Sequence, residues 1–170
     1  ITRLGNYTTV ANKGLMDAYV RNFTGDIVIK MKSPVSMSIF GANTPAIGEF
    51  FSIPVIKQYK EIVTLAAACE EVDAYTTQVT GGAVVDIKNR RYNGIIFGIE
   101  PETYFPLFDG IRVHSGRLLL PGERGAMIHL EFARRIERGS QKKITIGDPV
   151  LLSTIGRTGF KIREVPLTGI

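Results

Sequence analysis

The sequence predicts an α+β fold, in which strands and helices pack as separate layers around one apolar core. Eighteen glycines and abundant Val, Ile and Thr favour strands joined by tight turns over a helical bundle. One segment, from Pro54 to Cys69, repeats its apolar residues every three or four positions, the period of an amphipathic helix. After it, strand-like runs alternate with turn signals, so antiparallel strands are expected to follow the helix.

The elements follow in chain order. Residues 1–24 place Leu4, Val10, Leu15, Tyr19 and Phe23 at loose helical spacing, with Asp17 and Arg21 on one face. A helix is predicted there, stopped by Gly25. Asp26–Lys32, DIVIKMK, is β-branched and then alternating, and predicts a strand. Residues 33–53 form a long connection with Pro34, Gly41, Pro45 and Gly48, and enough apolar residues to pack against something. In the helix that follows, Ser52 is the expected cap and Pro54 fits the first turn. The stripe of Val55/Ile56, Tyr59, Ile62/Val63, Ala66 and Cys69 is expected to face the core.

Val72–Thr80, a hairpin turn at Gly81-Gly82, and Ala83–Lys88 are predicted next. A second turn at Asn89-Arg90-Arg91 leads to Tyr92–Ile99, whose run GIIFGI reads as a buried central strand. A short helix is predicted over Glu102–Phe108, and a largely apolar stretch over Ile111–Leu120 turns at Gly116-Arg117. Pro121–Gly125 is a loop, Ala126–His129 a short strand, and Glu131–Arg138 a helix with Ala133 and Ile136 inward, ended by Gly139. Gly147-Asp148-Pro149 is a turn before the apolar run Val150–Leu152, and a Gly-rich turn at Gly156–Gly159 precedes the alternating Phe160–Val165.

The whole-chain quantities narrow the class. An apolar fraction of 44% with 22% charged residues is that of a folded protein. At 170 residues there is room for one ordinary domain or two small ones. No run of about 18 uninterrupted apolar residues occurs, so no membrane span is predicted within the chain. The start at Ile1, without Met or a leader pattern, and the end on a strand at Ile170 both read as cuts through a longer protein. Cys69, the single cysteine, excludes an internal disulfide and is expected as a small buried hydrophobe.

The net charge of +5 raises nucleic-acid binding as an alternative. Its cations are scattered, however: Lys88, Arg90 and Arg91 in one turn, Arg134, Arg135 and Arg138 on one helix, then Lys142 and Lys143. Solvated turns and helix faces account for these, and no aromatic-interleaved basic motif appears. A basic face also suits a domain near an anionic membrane surface.

Little catalytic chemistry is visible. His114 and His129 lack metal-ligand or paired-acid spacing. Asp148 reads as a turn residue bonding nearby backbone, and adjacent Glu70 and Glu71 point apart on a helix. Gly81-Gly82 and Gly156–Gly159 lack the pattern of phosphate loops. Asn6-Tyr7-Thr8 and Asn22-Phe23-Thr24 match the glycosylation triplet, which is common by chance. The expectation is a non-enzyme with no catalytic residue, no cofactor and no metal.

Several stretches carry a resemblance. Thr24–Ile29 resembles the first strand of the extracytoplasmic domain in ABC transporter permeases of the MacB/FtsX/LolCDE superfamily. Gly94–Pro101 is similar to that family's strand ending in Gly-Val/Ile-Asp/Glu-Pro, and Ile111–Leu119 to its element with a central Gly-Arg/Lys. Met127–Ile136 resembles the short strand and helix before "x-G-D-x-V-x-L", which stands here as Ile146–Leu152. Phe160–Ile170 is similar to the closing strand. Each stretch is mostly glycine and aliphatic residues; their shared order over 24–170 is more specific.

The resemblance implies a porter-like mixed layer from residues 26–100 plus 160–170, entered through a linking helix at 1–25, with an inserted Sabre-like subdomain at 101–159. It implies the periplasmic domain of an inner-membrane permease, dimeric with a second permease copy or a paralogue and coupled to a cytoplasmic ABC ATPase. Such a domain transmits ATP-driven motion to lipoprotein release, or to export or efflux with an outer partner, and no nucleic acid is expected. Two rigid parts with crossings near Pro101 and Gly159 would suit that coupling. The interval Ser153–Gly159 is too short for the extended hook by which some members recruit a lipoprotein chaperone.

Overall fold

The structure, a computed structural model, describes residues 20–21, 25–31, 55–156 and 159–170. The expected linking helix, the connection at 33–53, the Ser52 cap and both glycosylation triplets lie outside the described residues, apart from Val20, Arg21 and Gly25. Gly25 has φ +62 and donates its N–H to the Val20 carbonyl at 2.9 Å, the geometry of a glycine closing a helical turn.

Two long hairpins build the sheet. β1 (Gln78–Ile87) pairs with β2 (Arg90–Ile99) from Gln78↔Ile99 to Ile87↔Arg90 without a bulge. Their turn is Lys88-Asn89, with φ of 53° and 61°, so both central residues are left-handed as a two-residue turn between twisted strands requires. The Gly81-Gly82 pair expected to turn the chain instead lies inside β1, opposite Ile96 and Ile95. A turn there would have left the GIIFGI run without its partner. The turn at Lys88-Asn89 keeps ten residues paired and places Ala83, Val85 and Ile87 on one buried face.

β4 (Pro149–Gly156) and β5 (Gly159–Gly169) form the second hairpin, paired from Pro149↔Pro166 to Gly156↔Gly159. The interval Ser153–Gly159, read as a loop, is therefore strand up to Gly156. The hairpins join where Val84–Asp86 pair with Ser153–Leu151. β3 (Ala126–Met127) adds parallel to the end of β5, giving the order β2-β1-β4-β5-β3. β4, placed by the sequence within an inserted unit, lies between β1 and β5 in this one sheet.

Three helices accompany the sheet among the described residues: α1 (Tyr59–Ala68), α2 (Pro101–Leu107) and α3 (Leu130–Ser140). The architecture is mixed, with one five-stranded sheet, as an α+β fold requires. α3 covers the core: its Ala133 and Ile136 join Val85, Ile87, Ile144, Val150 and Leu167 in one buried cluster. His129 caps α3, its Nδ1 accepting the Glu131 N–H at 3.2 Å. The helix passes Gly139 and ends on left-handed Gln141, whose N–H reaches the Glu137 carbonyl at 2.8 Å. Gly139 instead faces Tyr92, whose hydroxyl would stand 2.8 Å from a Cβ there.

Other expectations are corrected. Asp26–Met31 is not a strand here; these residues are exposed and have no ladder partner. α1 begins at Tyr59 rather than Pro54 and buries none of its residues; Tyr59 is 52% and Leu65 69% exposed, and Cys69 is exposed as well. Of the predicted core stripe, Ile56, Ile62, Val63 and Ala66 are half-buried, while Val55, Tyr59 and Cys69 are exposed. Among the described strands β2 lies at the edge of the sheet rather than at its centre, since β1 pairs with β4 on its other side. Ile111–Leu120 forms no strand or Gly116-Arg117 turn; Gly116, at φ +81, bridges to Gly169. α2 is close to its prediction, with Pro101 in its first turn and the Tyr104 and Phe108 rings 4.6 Å apart in a buried contact.

Candidate functional site

The best-defined polar constellation joins the two hairpins at their core end. Asp148 follows left-handed Gly147 (φ +93) and accepts the Thr145 N–H at 2.7 Å, the local turn its sequence predicted. Its other oxygen accepts from Lys88 Nζ at 2.6 Å, with the two side chains only 13% and 22% exposed. The backbone closes the junction, since the Asp148 carbonyl accepts from Leu167 N–H at 2.9 Å and Gly147 N–H donates to the Leu167 carbonyl at 2.7 Å. Burial pushes the Asp148 carboxyl up, but Lys88 and the Thr145 N–H together outweigh it and hold it below the usual range. Asp148 thus fastens the β1–β2 turn and the entry to β4 through its carboxylate, and the end of β5 through its backbone carbonyl. Lys88 is not the solvated turn residue expected; its partner stands 60 residues away, beyond any local sequence signal.

A second clamp holds the loop before β3. Arg117 makes a two-pronged contact with Glu123, 2.7 Å on each side, while the Leu120 N–H donates to the same carboxylate at 2.9 Å. Arg117 and the Leu120 N–H lower the Glu123 carboxyl to about 2. The Arg117 N–H donates to Thr168, and the His114 and Ser115 N–H groups both donate to Ile170. The chain's last residues are therefore gripped by the 114–117 segment on one side and β3 on the other.

The remaining candidates do not assemble into a reacting site. His114 supplies its backbone to Ile170 and His129 caps α3. No three His, Cys, Asp or Glu residues gather to hold a metal among the described residues. Cys69 donates its thiol to the exposed Glu71 carboxylate at 3.0 Å, and this contact lowers Glu71. A shallow cavity of about 170 Å³ is lined by Gly147, Pro149, Glu164, Val165 and Pro166, which offer a single carboxylate and no convergent partner.

Some of the cations have side-chain partners. Arg91 pairs with Asp86 at 3.3 Å, Arg134 with Glu131 at 2.5 Å, and Arg135 lies over the Tyr92 and Phe132 rings. The conspicuous unsatisfied surface is apolar. Val79 and Phe97 on the first hairpin and Phe160 and Ile162 on the second are 74%, 40%, 62% and 52% exposed. No helix among the described residues is long and apolar enough to cross a membrane. The chain matches no family model, no curated protein and no solved structure.

Proposed function

We propose that the chain is the extracytoplasmic domain of an ABC transporter permease of the MacB/FtsX/LolCDE superfamily. In this reading it passes ATP-driven motion to lipoprotein release, export or efflux outside the membrane. The supporting observation is where the resembling stretches fall. Gly94–Pro101 runs from β2 into α2, Met127–Ile136 covers β3's end and most of α3, Ile146–Leu152 is the latched turn and β4, and Phe160–Ile170 is β5. Their strands lie in one sheet, and the last three stretches supply Ala133, Ile136, Val150 and Leu167 to one buried cluster.

A transmitting domain needs a stiff body rather than a pocket. The Lys88–Asp148 contact and the paired hairpins supply stiffness, while the exposed apolar strands supply surface for a second permease copy, a paralogue, a lipoprotein or an outer partner. A cytoplasmic ABC ATPase would provide the energy through the rest of the permease.

The test uses the full-length protein, tagged in its own cells. Membrane fractionation, cleavage of this region by protease added outside, and co-purification with an ABC ATPase are expected. Recovery of the full-length protein as a cytosolic species without an ATPase partner would sink the proposal.

A further inference from the structure

α3 covers one face of the sheet, and the pairing registers define what stands on the other. Along β1, Ala83, Val85 and Ile87 are buried on the α3 side, so the even-numbered residues point the opposite way. Across the strands this outer face is organised in rows. Arg91, Asp86, Leu151 and Glu164 lie side by side from β2 to β5. Asn93, Val84, Ser153 and Ile162 form the next row, and Ile95, Gly82 and Phe160 belong to the third. Arg91, Ile162 and Phe160 are 80%, 52% and 62% exposed there.

We propose that this face is the contact between two copies of the chain, packed sheet on sheet about a two-fold axis that runs along the strands. Such an axis reverses the order of the strands and keeps their direction, so each row meets itself reversed. Arg91 of one copy, already on its own Asp86 at 3.3 Å, then faces Glu164 of the second copy, and the reverse pair forms by symmetry. Phe160 faces Ile95 of the second copy beside Gly82, where the missing side chain leaves room for the ring. Ile162 lies across Asn93 and beside Val84. A two-fold axis across the strands would instead set Arg91 against Ile95 and Glu164 against Phe160, leaving charges on apolar partners.

The charges also select the occupant. The rows carry one cation, Arg91, and two carboxylates, Asp86 and Glu164, so an anionic lipid surface or a polyanion is repelled rather than drawn to them. A second copy brings the same three groups in the order that pairs them. Size sets the strength: three rows about 7 Å apart on four strands about 4.8 Å apart give on the order of 400 Å² per copy. That is about half of a standard interface, so the dimer is weak and forms in concentrated solution or where copies are held together. The inference rests on the sheet alone and holds whether or not the domain belongs to a permease.

The experiment follows the 170-residue chain by sedimentation from about 20 μM to about 1 mM, the range in which a weak dimer of this size is expected to appear. Arg91→Glu sets like charges across both symmetry-related contacts and should weaken the dimer at least about tenfold, as should Glu164→Arg. The double variant Arg91→Glu with Glu164→Arg should recover most of that loss. Within one chain the two positions lie about 14 Å apart across β1 and β4, too far to pair, so recovery reports a contact between copies. Phe160→Ser should also weaken the dimer about tenfold, with Tm unchanged. The charge exchange touches only exposed side chains and decides the matter if Phe160→Ser unfolds its hairpin. A chain monomeric throughout the range would overturn the proposal, as would a dimer indifferent to the single variants or a double variant no better than either. Monomers that lose several degrees of Tm with Phe160→Ser would mean that the chain itself covers the face. Monomers that bind anionic vesicles only with Phe160 in place would mean that lipid does; either result refutes the contact between copies.

Discussion

Removing the carboxylate of Asp148 tests the junction on which the two hairpins depend. Asp148→Ala deletes two charge-assisted hydrogen bonds, to Lys88 at 2.6 Å and to the Thr145 N–H at 2.7 Å, and strands a Lys88 ammonium that is only 22% exposed. Hydrogen bonds to a charged group contribute about 1.5–3 kcal/mol each. Release of a partly buried carboxylate's desolvation cost offsets part of that loss, leaving a net destabilisation of about 2 kcal/mol. For a chain of this length that is a fall in Tm of roughly 4–8 °C. Asp148→Asn retains an acceptor for Thr145 and should lose about half as much. In a double-mutant cycle with Lys88→Met, chemical denaturation should give a coupling of about 1 kcal/mol, little changed by 0.5 M salt because the pair is shielded from solvent. A coupling near zero, or one abolished by salt, would show that the contact is an ordinary surface pair and that the hairpins are held by apolar packing alone.

Ile136→Ala empties a fully buried position beneath the sheet and should cost about 3 kcal/mol, read as the shift in denaturant midpoint. Gly116→Ala puts a side chain on a backbone with φ +81, driving its Cβ into the Thr168 carbonyl and to 2.7 Å from the Ile146 Cδ1; strain alone contributes about 1–3 kcal/mol, and a Tm within 2 °C of the parent would contradict the close approach. Glu123 has a folded pKa of about 2 against an unfolded value near 4.3, so its contribution is complete above about pH 4.3 and is lost as pH falls toward 2. Glu123→Gln should therefore flatten the pH dependence of stability within that window and leave its shape at higher pH unchanged. Cys69→Ser should alter Tm by less than about 1 °C, because the thiol is exposed rather than a core methyl equivalent.

Local pattern in the sequence located α2, α3, β4 and β5 to within a few residues, because each has a period and a stop written in adjacent positions. It failed where two local signals competed. Gly81-Gly82 is a strong turn dipeptide, yet the ladder ending at Lys88-Asn89 pairs more residues and buries Val85 and Ile87, so the tertiary gain overrode the turn preference. The apolar GIIFGI run read as central because composition reports hydrophobicity and not strand order; only the β1–β4 pairing shows that β2 lies outside. Of the polar junction, the sequence disclosed the Asp148 turn, a contact spanning three residues, but not Lys88, whose relation to Asp148 exists only after both hairpins close.

That dependence on closure ties the junction to the relative placement of the two hairpins. β1 and β4 share hydrogen-bonded pairing only at Val84–Asp86 with Ser153–Leu151, so any displacement passing from the first hairpin to the second crosses a short ladder. Backbone pairing of that length would yield readily if it acted alone. It is backed on one face by Val85, Ile87 and Val150 packed under Ile136, and at its end by Lys88 on Asp148. The apolar contacts resist separation of the strands but are nearly indifferent to sliding, since they are non-directional. The charged contact, seated on a turn that also bonds Leu167 of β5, resists sliding because its geometry is specific. The two kinds of interaction restrain different motions, and together at the three-residue ladder they hold the two hairpins in one register. Loss of Lys88–Asp148 should accordingly loosen the relative register of the hairpins before it unfolds either, with faster amide exchange at Val84 and Asp86, whose amides face β4, than at the amides bonded between β1 and β2 as its signature.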